Sequence, residues 1–203
     1  MTIYGRDITV SVSDTRMKML ATVFFAVLTA VCAKLYVNLW FTPVPVSLQV
    51  FVVLLAGLTL GSRLGALSQV AYLMMGLSGL PVFAGVVSGP AILAGPTAGY
   101  LIGFIASAYT VGLISERMVS KSRFGYLISG LAGIVVIHLF GVLWLTSWVG
   151  ITDNRTWITS LKSAWLMGTA PFVLVDIIKA IMASGIVSGV KYSRSILGGF
   201  TKP

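Results

Sequence analysis

The run from Pro171 to Val190, PFVLVDIIKAIMASGIVSGV, constrains this chain more than any other stretch. It is long enough to cross a bilayer, since ~20 apolar residues span the ~30 Å hydrocarbon core as a helix. Yet Asp176 and Lys179 lie inside it. An ionisable residue at the centre of a span costs ~2.5–3.5 kcal/mol on insertion scales, so such residues face protein, pair with one another or serve a function. Three positions apart on a helix, the two side chains share a face and can touch. With Pro171 opening the helix, Asp176 lies roughly 8 Å in from that end and Lys179 about one turn deeper. A carboxylate and an ammonium aimed the same way inside a membrane are the first candidate site. The plainer alternative is an intrahelical pair that only neutralises itself.

The rest of the chain has the same character. Hydrophobic residues make up 57% of 203 residues and charged ones 9%, against about 25% charged in a soluble domain. Six apolar blocks follow one another: Met17–Leu39, Ser47–Leu60, Leu64–Gly76, Thr97–Ile114, Phe124–Trp148 and Ala170–Val190. The second and third are short, and Gly61-Ser62-Arg63 between them reads as a tight helix–helix turn. A buried two-helix hairpin accommodates such short cores. The expected fold is therefore an all-α integral membrane protein, a six-transmembrane-helix bundle. Its single domain covers 17–191, between a cytoplasmic N-terminal segment, 1–16, and a cytoplasmic C-terminal tail, 192–203. Met1 to Thr15 is polar, and no cleavable signal is expected. Cys32 is the one cysteine, which leaves no intramolecular disulfide and no cysteine-built metal site.

The net charge of +9 reflects topology rather than nucleic acid. Arg6, Arg16, Lys18, Arg63, Arg117, Lys121, Arg123, Lys191, Arg194 and Lys202 all fall on one side when the spans alternate. Arg155 and Lys162 fall on the other, while Lys34 and Lys179 lie within spans. Cytoplasmic loops carry the excess of Lys and Arg, so both termini are expected inside.

Several outer-side features gather near the Asp176–Lys179 pair. The connection Phe41–Gln49 contains Pro43 and Pro45, which stiffen an extended segment. Gln49 then stands in the first turn of the second block, as a buried amide if it faces inward. Between Leu77 and Pro96 there is no charge, but glycine at 79, 85, 89 and 95 and proline at 81, 90 and 96. Irregular backbone at membrane depth is tolerated only where protein covers it or it lines a cavity. An apolar Gly/Pro-rich outer loop capping a ligand cavity is expected here, with Phe83 as an aromatic wall. Tyr100 lies about one turn into the fourth block, either as a belt aromatic or as a hydroxyl facing a ligand. Lys34 either snorkels to the interface or meets a ligand. Ala26, Ala30 and Ala33 form a stripe of small residues on the first helix, suited to close packing within the bundle or to docking a partner. His138, alone in mid-helix, reads as a hydrogen-bonded packing residue.

No GxxxxGK[ST], HExxH or GxSxG occurs, nor any repeated Cys/His spacing. No cofactor and no metal are expected, and an intramembrane enzyme would need a nucleophile motif the chain lacks. A stand-alone secondary transporter would need internal repeats and a coupling-ion site, neither of which is visible.

One family resemblance connects these features. The segment Pro43-Val44-Pro45-Val46-Ser47-Leu48-Gln49 is followed by Leu55-Ala56-Gly57, Gly61-Ser62-Arg63-Leu64-Gly65-Ala66 and Gly79-Leu80-Pro81-Val82-Phe83-Ala84. Gly95-Pro96-Thr97-Ala98-Gly99-Tyr100-Leu101-Ile102-Gly103-Phe104 and Asp176-Ile177-Ile178-Lys179-Ala180 follow in the same order. The chain resembles the BioY family, biotin-specific substrate-binding subunits (S components) of energy-coupling-factor (ECF) transporters. The resemblance implies capture of biotin from outside, across a bacterial cytoplasmic membrane. It also implies coupling to a transmembrane T subunit and two ABC-type ATPases, with the alanine face at Ala26, Ala30 and Ala33 docking the T subunit. Asp176 and Lys179 would contact the ligand head, an ionised Asp176 accepting from the ureido N–H groups and Lys179 donating. Phe83 would flank the bicycle, and the ligand carboxylate would reach Lys34 or Tyr100. An S component for another small vitamin is the nearest alternative. Ser47 and Ala98 depart from the residues frequent in the family, threonine and glycine respectively.

Overall fold

The structure, a computed structural model, describes residues 15–85, 87–118 and 124–199, with side chains to residue 190. Six α-helices make up almost all of it: α1 (Thr15–Lys34), α2 (Gln49–Leu77), α3 (Ala98–Met118), α4 (Gly125–Thr152), α5 (Trp157–Gly168) and α6 (Val173–Gly199). A two-residue antiparallel ribbon, β1 (Tyr36–Val37) with β2 (Val46–Ser47), joins α1 to α2. A 3₁₀ turn, Pro90–Ala94, precedes α3. The expected segment 1–16 lies outside the described residues as far as residue 14, as do Lys121, Arg123 and Lys202. Within the expected tail 192–203, α6 continues to Gly199.

Among the described residues, five helices are long and apolar enough to cross a membrane, one fewer than the six spans read from the sequence. The difference lies in α2. At Gly61 its backbone leaves the helical region (φ 81°, ψ −177°), a conformation open essentially to glycine. The helix folds back there: Gln49 Nε2 donates to the Tyr72 hydroxyl at 2.7 Å, although 23 residues of straight helix would hold them ~35 Å apart. Gly57 and Gly65 let the two arms touch, since a Cβ on Gly65 would stand 3.0 Å from the Gly57 Cα. Arms 49–60 and 62–77 are thus an antiparallel hairpin, and the described residues run six times along the bundle.

The turn is held from α3. Glu116 accepts from the Ser62 backbone N–H (2.7 Å) and from its hydroxyl (3.1 Å). This carboxylate from another helix caps the free N–H groups at the start of the second arm and complements its dipole. Gly61→Ala is expected to destabilise the protein by about 1–3 kcal/mol through the strained backbone alone, read as earlier thermal unfolding in detergent.

The glycines of α3 decide how the bundle closes. Gly112 meets the Gly61–Ser62 backbone at one end of the bundle, and Gly99 meets Trp144 and the Phe140 carbonyl of α4 at the other. The Pro90–Ala94 turn stands at this second, cap end. Trp144 and Trp148 of α4 donate their indole N–H groups to the carbonyls of Gly95 (2.9 Å) and Ala94 (3.1 Å). The cap loop is pinned by helix side chains, as irregular backbone at this depth requires.

Ala26, Ala30 and Ala33 are 1%, 9% and 0% exposed within the chain's own core. That face of α1 packs within the bundle, chiefly against the α2 hairpin. Beyond Trp148 the chain is largely helical: α4 runs to Thr152 and α5 follows. Ser160, Ala164 and Gly168, at successive i+4 positions, are the buried residues of α5, while Trp157, Ile158, Leu161 and Trp165 face outward.

Candidate functional site

At the cap end of the bundle lies a cavity of about 640 Å³, counting the space open to the outside. The buried end of this cavity is polar. Asp176 and Lys179, in the first two turns of α6, are 3% and 5% exposed, and His138 of α4 is 8% exposed. Lys179 Nζ donates to Asp176 Oδ1 at 2.7 Å. His138 Nε2 lies 3.1 Å from Asp176 Oδ2, and its Nδ1 lies 3.2 Å from the Thr169 hydroxyl. A neutral imidazole with its proton on Nε2 satisfies both contacts, donating to the carboxylate and accepting from Thr169. The three groups then sum to zero charge, which is what a buried ionic cluster needs.

Local sequence explains this placement. Helix α6 begins at Val173 rather than at Pro171. The turn before it, closed by Phe172 N–H to Thr169 C=O at 2.9 Å, carries Thr169 to the imidazole. Asp176 sits in the first turn of α6, where the helix dipole favours an anion.

The remaining walls are mostly apolar and come from the segments the sequence singled out. Val44, Pro45 and Val46 stand on one side, and Phe83, Ala84 and Ile92 of the cap loop on another. Phe83 is 1% exposed and packs edge-to-face on Tyr72, with ring centroids 5.5 Å apart. It lies so close to Gly76 that a Cβ there would overlap its ring. The Tyr72 hydroxyl also donates to the Val82 carbonyl at 3.3 Å. The second arm of α2 thus positions the cap loop.

The other candidates divide. Gln49 lines the cavity and is 5% exposed. Its amide receives a bond from Ser47 (2.9 Å) and donates to Tyr72 (2.7 Å), which leaves one N–H of the amide over. Tyr100 lines the cavity with its ring, but its hydroxyl donates to the Gly168 carbonyl at 2.8 Å. Gly141 makes room for that ring, since a Cβ there would overlap it. Lys34 is not among the lining residues. Its ammonium donates to the carbonyls of Phe83 (2.8 Å) and Gly85 (3.5 Å), so in this structure it straps the cap loop. Conversely, His138 and Thr169 enter the polar cluster although neither was among the expected site residues.

Chemically, the cluster offers both polarities. A carboxylate has about four lone-pair sites, and two of Asp176's are occupied by Lys179 and His138. The others are free to accept N–H groups from a ligand. Lys179 retains ammonium hydrogens for a ligand oxygen. A compact head with adjacent N–H donors and a carbonyl matches this arrangement, and the apolar walls suit a hydrocarbon body.

Comparison with known proteins gives the family of the chain. The model of the BioY family matches residues 7–195. The "Probable biotin transporter BioY" of Pyrococcus horikoshii is 41% identical over 159 residues, 78% of this chain and 86% of that protein. The "Biotin transporter BioY" of Thermotoga maritima is 38% identical over 163 residues, 78% and 90% respectively. Among solved structures, the S-component for biotin from an ECF-type ABC transporter superposes with a TM-score of 0.74 at 28% identity, covering 90% of this chain and 94% of that one. This chain belongs to the BioY family.

Proposed function

We propose that the protein is the biotin-binding S component of an ECF transporter, with the Asp176–Lys179–His138 cluster as its head-binding site. The buried, charge-balanced cluster at the end of a capped apolar cavity carries this reading. Biotin's ureido ring offers two N–H donors and one carbonyl. Asp176 accepts from the N–H side while Lys179 donates to the carbonyl, and the bicycle lies against Phe83 and its apolar neighbours. An analogue without the ureido group leaves buried polar groups unpaired, which is how such a site discriminates.

The membrane is the bacterial cytoplasmic membrane, with both termini and the Gly61 turn inside and the cap end outside. Arg16, Lys18, Arg63 and Arg117 then lie on the cytoplasmic side, as the excess of positive charge there requires. A transmembrane T subunit and two ABC-type ATPases would complete the machine, and this chain's role is binding and hand-over rather than catalysis.

Displacement of labelled biotin from the purified protein in detergent tests the reading. Unlabelled biotin is expected to compete, and thiamine and riboflavin to fail at a thousandfold excess. Displacement by another vitamin and not by biotin would overturn it. His138→Leu should weaken binding ~10-fold, about 1.4 kcal/mol, because Asp176 loses a donor that orients it. His138→Gln, which restores an N–H, should recover most of that loss in the same titration.

A further inference from the structure

We propose that this site reads the bicyclic head and leaves the charge at the other end of the ligand unread, so that neutral biotinyl amides are ligands comparable to the free acid. The inference rests on the biotin reading above and extends it to a class of ligands.

The cations on the cap side can be followed one by one. Lys179 pairs with Asp176 at the buried end of the cavity. Lys34 does not line the cavity and holds the Phe83 and Gly85 carbonyls. Arg155 pairs with Asp153 at 3.1 Å and donates to the Ser163 hydroxyl at 3.3 Å. Lys162 is exposed on α5 and does not line the cavity.

Of the polar but uncharged lining groups, Ser47 and Gln49 bond to each other and Tyr100 bonds to Gly168. The one Gln49 amide N–H left over can donate to the oxygen of an acid or of an amide alike. A ligand anchored by its head at Asp176 and Lys179 extends toward the opposite end. There the lining residues Pro45, Val46, Ser47, Ala84 and Thr97 are half-buried rather than buried, and none is charged.

An anion left in a dry cavity without a cation is strongly disfavoured. The ligand's carboxylate therefore stands at the mouth in contact with water, where nearby charges are screened. A group that keeps its hydration in the complex contributes little to affinity. Replacing it by a carboxamide changes the charge of the ligand and leaves the buried contacts alone. The same mouth leaves room for a longer amide, such as the lysine conjugate biocytin.

Displacement of labelled biotin from the wild-type protein, by biotin, biotinamide and biocytin in parallel, tests this. Both amides are expected within about threefold of biotin, since no charge-assisted bond of the kind worth a tenfold change or more is lost. In Lys34→Met the ratio of acid to amide should remain the wild-type one. Tight biotin binding with amides weaker by thirtyfold or more would overturn the inference and leave the biotin reading intact. A preference for the acid that disappears in Lys34→Met would overturn it too, by making Lys34 the reader of the carboxylate. Failure of biotin itself to bind the folded protein would overturn both.

Discussion

Asp176→Asn is expected to weaken biotin binding at least ~100-fold, about 2.7 kcal/mol. The neutral amide occupies nearly the same volume, but its chemistry is inverted on one side. Asp176 accepts from Lys179 through one oxygen and from His138 through the other. An asparagine presents an NH₂ on one side, so it keeps both contacts only if the His138 proton moves from Nε2 to Nδ1, and in either arrangement the carboxylate charge and one acceptor are lost to the ligand. Hydrogen bonds to a charged group are worth ~1.5–3 kcal/mol each, so losing one or two accounts for the predicted fall. Lys179 meanwhile becomes a buried cation without a counter-charge, and breaking such a pair costs ~3–5 kcal/mol of stability. The titration should therefore be read beside a thermal unfolding curve, and beside Lys179→Met, which leaves the carboxylate in place. A fall of less than threefold in a folded Asp176→Asn protein would contradict the site.

The second large effect concerns the frame that carries the site. Gly112→Val is expected to destabilise the protein by about 3 kcal/mol, the upper part of the range for overpacked cores. A Cβ built at Gly112 would overlap the backbone of Gly61 and Ser62. Backbone cannot rotate away as a side-chain tip can, so the hairpin turn must open or α3 must withdraw. Either movement also stretches the bonds from Ser62 to Glu116. Unfolding by SDS in mixed micelles measures the change. Gly185→Ala serves as the control, because nothing lies within 4 Å of a Cβ built there, and it should unfold with the wild type or slightly after it.

Much of this was legible in the sequence because the membrane makes certain residues conspicuous. Charges inside an apolar run are costly wherever they face, so Asp176 and Lys179 stood out, and the structure buries them together. Glycine and proline in an uncharged stretch implied covered irregular backbone, and the loop carrying Phe83 does wall the cavity. The Gly61-Ser62-Arg63 turn was read where helix length alone merges both arms into one.

What escaped the sequence has physical reasons of its own. In a membrane the lipid-facing and protein-facing sides of a helix are both apolar, so hydrophobicity does not say which way α1 turns Ala26, Ala30 and Ala33. A long flexible stem let Lys34 choose among partners, and the carbonyls of Phe83 and Gly85 leave no trace in a sequence. His138 gains its role from Asp176 and Thr169, 38 and 31 residues away. Helix α5 did carry a signal, the i+4 spacing of Ser160, Ala164 and Gly168, but the polar residues before it masked it.

A structure of this protein with biotin bound would test the central claim most directly. The account predicts the ureido ring within ~2.7–3.1 Å of the Asp176 carboxylate and the Lys179 ammonium, with Phe83 against the bicycle. A ring seated away from α6, with the Asp176–Lys179 pair closed and untouched, would contradict it.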